Sequence, residues 1–268
     1  DLVTVHVAKP QPRRPATALL VGPTGVGKTY ATELLAAELE QRTSSTWGHV
    51  RMDMNELSEK HTVARLFGSA PGYIGYGDGR DLATSLRARP TSLVVFDEID
   101  KAHRSVWHAL MNLMDAGRLG TGVGDTDVRK SILLFTSNRH ADVIAQNVSP
   151  GDPSGSRVRP LLRQLGYPPE IVGRIGRVIP FHQFSGKDEG RLVLLAVQRV
   201  VATFGLELEW LDPATITDLL ARTAGAENGV RDIEHHLEAE LGCDLREAVR
   251  AGATRVRIDD VPPSVSRS

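Results

Sequence analysis

Short apolar runs alternate along this chain with longer stretches in which apolar residues recur at helical spacing. Ala18-Leu19-Leu20-Val21, Leu93-Val94-Val95-Phe96 and Ile132-Leu133-Leu134-Phe135 are too short for buried helices and are bounded by polar or turn residues, so they read as buried strands. With residues 49–52 and 178–181 the pattern predicts five strands, over 18–21, 49–52, 93–96, 132–136 and 178–181. Helical stretches fall between them, over 28–41, up to a stop within 85–90, and over 104–116, the last halted by Gly117. Such alternation predicts an α/β domain with a mainly parallel sheet, residues 18–184. The run RSVWHALMNLMDA, residues 104–116, places its Trp and Met residues at core spacing.

The texture then changes. Ser185 is placed to cap a helix from about Lys187, with Asp188 and Glu189 in its first turn. Residues 206–210 alternate like a strand, Pro213 opens a helix over 214–222, residues 230–251 are helical, and 254–258 read as a closing strand. Residues 185–268 therefore read as a smaller, mostly helical domain. Residues 1–17 end in the Pro/Arg-rich KPQPRRP and read as a linker or remnant. Three stretches, 71–79, 117–127 and 149–156, carry the glycine, proline and serine of exposed loops.

Composition narrows the partners. The chain has 268 residues, 41% hydrophobic and 24% charged, with a net charge of −1, which is ordinary for a globular protein and weighs against a nucleic-acid or membrane-surface binder. No apolar run approaches the length of a membrane span, and the expected location is cytoplasmic. One cysteine, Cys243, excludes an internal disulfide and reads as a packed thiol. The nine histidines show no metal-ligand spacing; His235 and His236 point to different helix faces.

The densest chemistry lies after the first strand. Gly22-Pro23-Thr24-Gly25-Val26-Gly27-Lys28-Thr29 fits the phosphate-loop pattern G-x-x-x-x-G-K-[ST], in the strand–loop–helix setting the pattern requires. Its glycines let backbone N–H groups face a phosphate, and the following helix N-terminus adds partial positive charge. Lys28 is then expected to reach the β- and γ-phosphates of a nucleotide, and Thr29 to hold Mg²⁺. The strand over 93–96 ends in Asp97-Glu98, at the edge where parallel sheets bind ligands. Asp97 suits the Mg²⁺ shell, and Glu98 suits a general base for an attacking water. Asn138, beyond the strand over 132–136, can orient that water.

Several strings together carry a resemblance: GPTGVGKT, RMDMNELSEKHTVARLFGSAPGYIGY, LVVFDEIDKAH, MDAGRLGTG, LLFTSN, PEIVGRI and GVRDIEHHLE, in that order over most of the chain. In them the chain resembles the second-ring ATPase module of ClpA/ClpB-type AAA+ unfoldases. The resemblance implies a three-layer P-loop AAA+ domain followed by a small lid, with ATP between them and against the next subunit of a hexamer. It makes Gly22 to Thr29 Walker A, Asp97 and Glu98 Walker B, and Asn138 sensor 1. Arg174 takes the place of the arginine finger that reaches a neighbour's nucleotide, and Arg231 that of sensor 2. Tyr73 matches the channel tyrosine that grips polypeptide, and residues 117–127 resemble the second channel loop. The implied activity is Mg²⁺-dependent ATP hydrolysis driving unfolded or aggregated polypeptide through a homo-hexameric channel, with no nucleic acid and no membrane partner.

The departures shape that expectation. Gly173 precedes Arg174 where the family commonly has Asn, a pairing similar to the single-ring mitochondrial relatives of ClpB, and Gly176 and Arg177 follow where acidic residues are common. Asp125 stands where the second channel loop usually has a basic residue. Leu165-Gly166-Tyr167 is the nearest string to a protease-docking tripeptide and abuts the finger helix, so a protease partner is not expected. The alternative reading is an ATP-controlled assembly module, or one that dismantles a secretion sheath, without general unfolding activity.

Overall fold

The structure, a computed structural model, describes residues 2–43, 45–58, 82–121, 124–147, 158–183, 186–223, 230–259 and 264–267. Tyr73, Ser185 and the stretch 149–156 lie outside the described residues. The chain divides into two compact units, one of Asp1–Pro23 with Lys28–His182, the other of Thr24–Gly27 with Gln183–Ser268.

The first unit contains helix α1 (Leu2–Val7), strand β1 (Ala16–Val21), α2 (Lys28–Thr43), β2 (Gly48–Asp53), α3 (Leu82–Ala88), β3 (Ser92–Asp97), α4 (Arg104–Ala116), the strands β4 (Arg118–Thr121) and β5 (Gly124–Asp127), β6 (Ile132–Ser137), α5 (Ala141–Asn147), α6 (Val158–Gln164), the single turn α7 (Pro169–Val172) and β7 (Arg177–Pro180). The main sheet runs β2-β3-β6-β1-β7. Each of its pairings is parallel, as the sequence pattern predicts. β1, β3 and β6 are buried along their whole length. Successive residues of a strand face opposite sides, and the core divides accordingly. Leu19, Val21, Val94, Phe96, Leu133 and Phe135 join the apolar stripe of α4 in one cluster. Ala18, Leu20, Leu93, Val95, Ile132 and Leu134 join Leu39 of α2 and Trp47 in another. Phe96 and Phe135, partners in register, stack with ring centroids 5.1 Å apart, a geometry that adds to their burial.

Two expectations about the first unit change. Residues 117–127 are not a plain loop: β4 and β5 pair antiparallel, Arg118 opposite Asp127 and Thr121 opposite Gly124. Their glycines hid the alternation that marks strands. Residues 1–17 are more than a linker, since α1 places His6 in the interior at 6% exposure and β1 begins two residues before the predicted start. Burial lowers the His6 pKa, reinforced by the nearby positive charge of Lys9.

The second unit contains α8 (Gly186–Thr203), β8 (Glu207–Leu211), α9 (Pro213–Thr223), α10 (Val230–Arg250), β9 (Arg255–Asp259) and β10 (Ser264–Arg267). Its three strands form a sheet ordered β10-β9-β8, with β8 and β9 parallel and β9 and β10 antiparallel. Strand β10 was not expected. Val193, Val197, Val200 and Val201 of α8 pack with Leu219 of α9 and with Ile233, Leu237, Leu241 and Leu245 of α10. Cys243 is exposed rather than packed. It sits two residues, about 200° of helix rotation, from Leu241 and so falls on the opposite face.

Helix α4 ends as its sequence requires. Gly117 adopts φ +59° and donates its N–H to the Leu113 carbonyl at 3.0 Å, a left-handed C-terminal cap. A Cβ there would lie 3.1 Å from the Arg129 Cα and 3.1 Å from the Pro15 ring. Gly117→Ala is therefore expected to cost about 1–2 kcal/mol of stability, read from the midpoint of denaturant unfolding.

Candidate functional site

Because the sheet is parallel, the C-terminal residues of its strands share one edge, with Val21 level with Ser137 and Asp53 level with Asp97. The loop Gly22 to Thr29 leaves β1 at that edge and enters α2. Gly25 and Gly27 hold φ of +80° and +85°, backbone that side chains disfavour. Lys28 folds back over the loop, and its Nζ donates to the Gly22 and Pro23 carbonyls, each at 2.6 Å. Burial lowers the Lys28 pKa, opposed by the charges of Asp97, Glu98 and Asp100. Thr29 is half-buried at the start of α2, its carbonyl accepting from Thr32 Oγ1 at 2.6 Å.

Asp97 and Glu98 meet different partners. Asp97, 8% exposed, accepts at Oδ2 from Arg51 Nε at 3.0 Å and from Arg51 Nη2. Its Oδ1 accepts from the Thr136 hydroxyl. Thr136 Oγ1 in turn accepts from the Glu98 N–H at 2.9 Å. Glu98 has φ +54° and ψ +49°, a left-handed conformation uncommon outside glycine. From that turn its carboxylate reaches Asn55, Oε2 accepting from Asn55 Nδ2 at 2.7 Å. Asn55 is itself fixed by Asp53, whose Oδ1 accepts from its backbone and side-chain nitrogens at 2.9 Å each.

A second network lies beside the first. Ser137 Oγ donates to Asp100 Oδ1 at 2.7 Å and lies 2.7 Å from the Tyr167 hydroxyl. Tyr167 Oη donates to the Arg139 carbonyl at 3.2 Å. The half-buried Asn138 sits between Ser137 and Arg139 at the end of β6. Tyr167 is 3% exposed, so the string Leu165-Gly166-Tyr167 spends its aromatic on the interior.

The structure thus brings Lys28, Asp97 and Glu98 to one edge. Arg174 is held elsewhere in the unit. Its Nε donates to Asp115 Oδ2 at 2.7 Å, and Nη1 to the Glu170 carbonyl at 2.6 Å. Thr17 of β1 stitches this segment down: its Oγ1 donates to the Arg174 carbonyl at 2.7 Å and accepts from the Gly176 N–H at 2.8 Å. A Cβ at Gly176 would lie 2.8 Å from the Thr17 carbonyl oxygen, so a side chain there would force the backbone apart. Arg231 lies in the first turn of α10, its side chain outside the described residues. Arg51, Asn55 and Thr136 went unassigned by sequence reasoning. The string RMDMNE contains the first two, but nothing local reveals that they serve carboxylates on another strand.

The chemistry of the donor set fits a magnesium nucleotide. Gly25 and Gly27 hold positive φ, a half-buried ammonium lies on the Gly22 and Pro23 carbonyls, and Thr29 and Asp97 offer the hard oxygens that Mg²⁺ takes alongside phosphate. Such a loop at the C-terminal edge of a parallel sheet defines the class, a phosphate-loop nucleotide-binding domain. Residues 13–178 match the family described as AAA domain (Cdc48 subfamily), and the chain belongs to that family. It is similar to chaperone protein ClpB of Mesorhizobium japonicum, 36% identical over 247 residues, covering 90% of this chain and 28% of that protein. ClpB of Meiothermus ruber is likewise 36% identical over 249 residues, 90% of this chain and 29% of the relative. The chain therefore spans under a third of the length of these relatives. A cryo-EM structure of Hsp104 in a closed state with ATPγS and FITC casein superimposes with a TM-score of 0.75 at 25% identity, over 95% of this chain and 45% of that one. The match is to a ClpB-type AAA+ module. Among the described residues no helix is long and apolar enough to cross a membrane.

Burial raises the Tyr167 pKa to about 12 from 10.0. The neutral phenol is thus favoured by folding, so its contribution is complete below pH 10 and fades as pH climbs through about 12. In pH-dependent unfolding, Tyr167→Phe is expected to flatten the decline of stability across that window.

Proposed function

We propose that this module binds Mg²⁺-ATP at the loop Gly22 to Thr29 and hydrolyses it to drive polypeptide remodelling within a ring of like subunits. The observation that carries this reading is the half-buried Lys28 ammonium, folded onto the Gly22 and Pro23 carbonyls and in the field of Asp97, Glu98 and Asp100 at the sheet edge. Lys28 would exchange its carbonyl partners for β- and γ-phosphate oxygens, which match its charge. Thr29 and Asp97 would hold the metal, which when bound neutralises charge on the phosphates. Glu98, released from Asn55, takes a proton from the attacking water, and Asn138 orients that water. Arg174, on the surface of the first unit, supplies positive charge to the nucleotide of the adjoining subunit. Arg231 is assigned to the nucleotide of its own subunit. In this reading 18–184 form the nucleotide-binding domain, 185–268 the lid, and Tyr73 contacts the threaded chain.

Similarity to chaperone protein ClpB, and to an Hsp104 structure containing ATPγS and casein, supports ATP and polypeptide as partners, and the homo-hexamer and the unfolded state of the polypeptide are part of the proposal. Glu98→Gln in the intact protein is expected to keep ATP affinity while slowing turnover by about 10²–10⁴-fold; turnover near the wild-type rate would remove Glu98 as base. Tyr73→Ala is expected to keep ATPase activity and lose unfolding of a fluorescent substrate. Unfolding at an unchanged rate would favour an assembly module that does not thread polypeptide.

A further inference from the structure

The grip on Arg174 says more than that the residue is ordered. Its backbone is fixed twice, the N–H donating to the Ile171 carbonyl at 2.8 Å and the carbonyl accepting from Thr17 at 2.7 Å. Its guanidinium is fixed from two sides. Asp115 Oδ2 faces Nε at 2.7 Å and Nη2 at 2.6 Å, and the Glu170 carbonyl faces Nη1 at 2.6 Å. Asp115 comes from α4 and Glu170 from α7, so separate elements define the plane of the group.

The pair is exposed, at 30% for the Arg174 side chain and 47% for Asp115. Ion pairs so open to water add little to stability, so stability alone does not account for it. Its geometry is informative. A guanidinium carries five N–H donors. Among the described residues three are engaged, on Nε, Nη1 and Nη2. One donor therefore remains on each terminal nitrogen. Two donors on adjacent terminal nitrogens suit a phosphate gripped by two of its oxygens. The carboxylate takes the side of the group and leaves donors at its tip.

We infer that Asp115 is a positioning residue for Arg174, holding the guanidinium side-on so that its terminal donors are presented outward to a phosphate on an adjoining subunit. This rests on the reading of Arg174 as a residue acting across the subunit boundary. Phosphoryl transfer rewards such fixed charge because nothing has to reorganise during the reaction. Asp115 precedes Gly117 by two residues and the β4–β5 ribbon by three, so one carboxylate links the base of the ribbon to the arginine.

The test uses mixed assemblies of the intact protein. Glu98→Gln subunits keep Arg174 but do not hydrolyse, whereas Arg174→Ala subunits keep the base but lack the arginine. A mixture of the two recovers turnover if the site is shared. Asp115→Ala is then placed in one background at a time. In the Glu98→Gln subunits it is expected to cut the recovered kcat about tenfold, with KM for ATP changed less than twofold. In the Arg174→Ala subunits, where its partner is already gone, the same change is expected to cost less than twofold. Asp115→Asn, which keeps an oxygen acceptor in place, is expected to restore most of the loss. Equal losses in both backgrounds would show a purely structural role and overturn the inference, as would a rise in turnover or no change in the Glu98→Gln background. No recovery in the parent mixture would overturn the shared-site reading and this inference with it.

Discussion

A single hydroxyl organises the acidic end of the site. Thr136 is fully buried, yet its oxygen donates to the Asp97 carboxylate and accepts from the Glu98 N–H. Both bonds cross from β6 to β3, and they exist because those strands are parallel and in the register that stacks Phe96 on Phe135. In a dry interior a carboxylate oxygen or amide left without a partner is costly. The hydroxyl answers both at once. It also anchors the backbone where Glu98 departs into a left-handed turn. The apolar packing of the sheet and the direction of the two carboxylates are therefore one problem with one solution.

Electrostatic balance follows from the same edge. Burial works against the Lys28 ammonium, while Asp97, Glu98 and Asp100 work for it. Each of these carboxylates has a further polar partner: Arg51 and Thr136 for Asp97, Asn55 for Glu98, Ser137 for Asp100. The site thus holds opposing charges close together without collapsing them into one buried pair, an arrangement whose desolvation cost is steep.

Much of this was legible in the sequence, for identifiable reasons. Buried parallel strands write unbroken apolar runs, so β1, β3 and β6 announced themselves, and the capping glycine of α4 stood where its helical pattern stopped. The phosphate loop is a contiguous string whose residues act as neighbours, so its residues were recognisable together. Arg51 and Thr136 were not assigned, since their roles depend on strands brought alongside by folding rather than on adjacent residues. The ribbon of β4 and β5 was read as a loop because Gly120, Gly122 and Gly124 carry no side chains to alternate. Cys243 was misjudged because a helix period was recognised without fixing its phase, which Ile233, Leu237, Leu241 and Leu245 set toward the opposite side.

Thr17 and Gly22 occupy two ends of one stretch of chain. Between them β1 runs buried and extended, hydrogen-bonded in register to strands on both sides. At about 3.3 Å per residue the separation is about 16 Å, and an extended strand has no slack to take up. It acts as a fixed spacer: the register that holds Thr17 against its neighbours also sets where Gly22 and the loop begin.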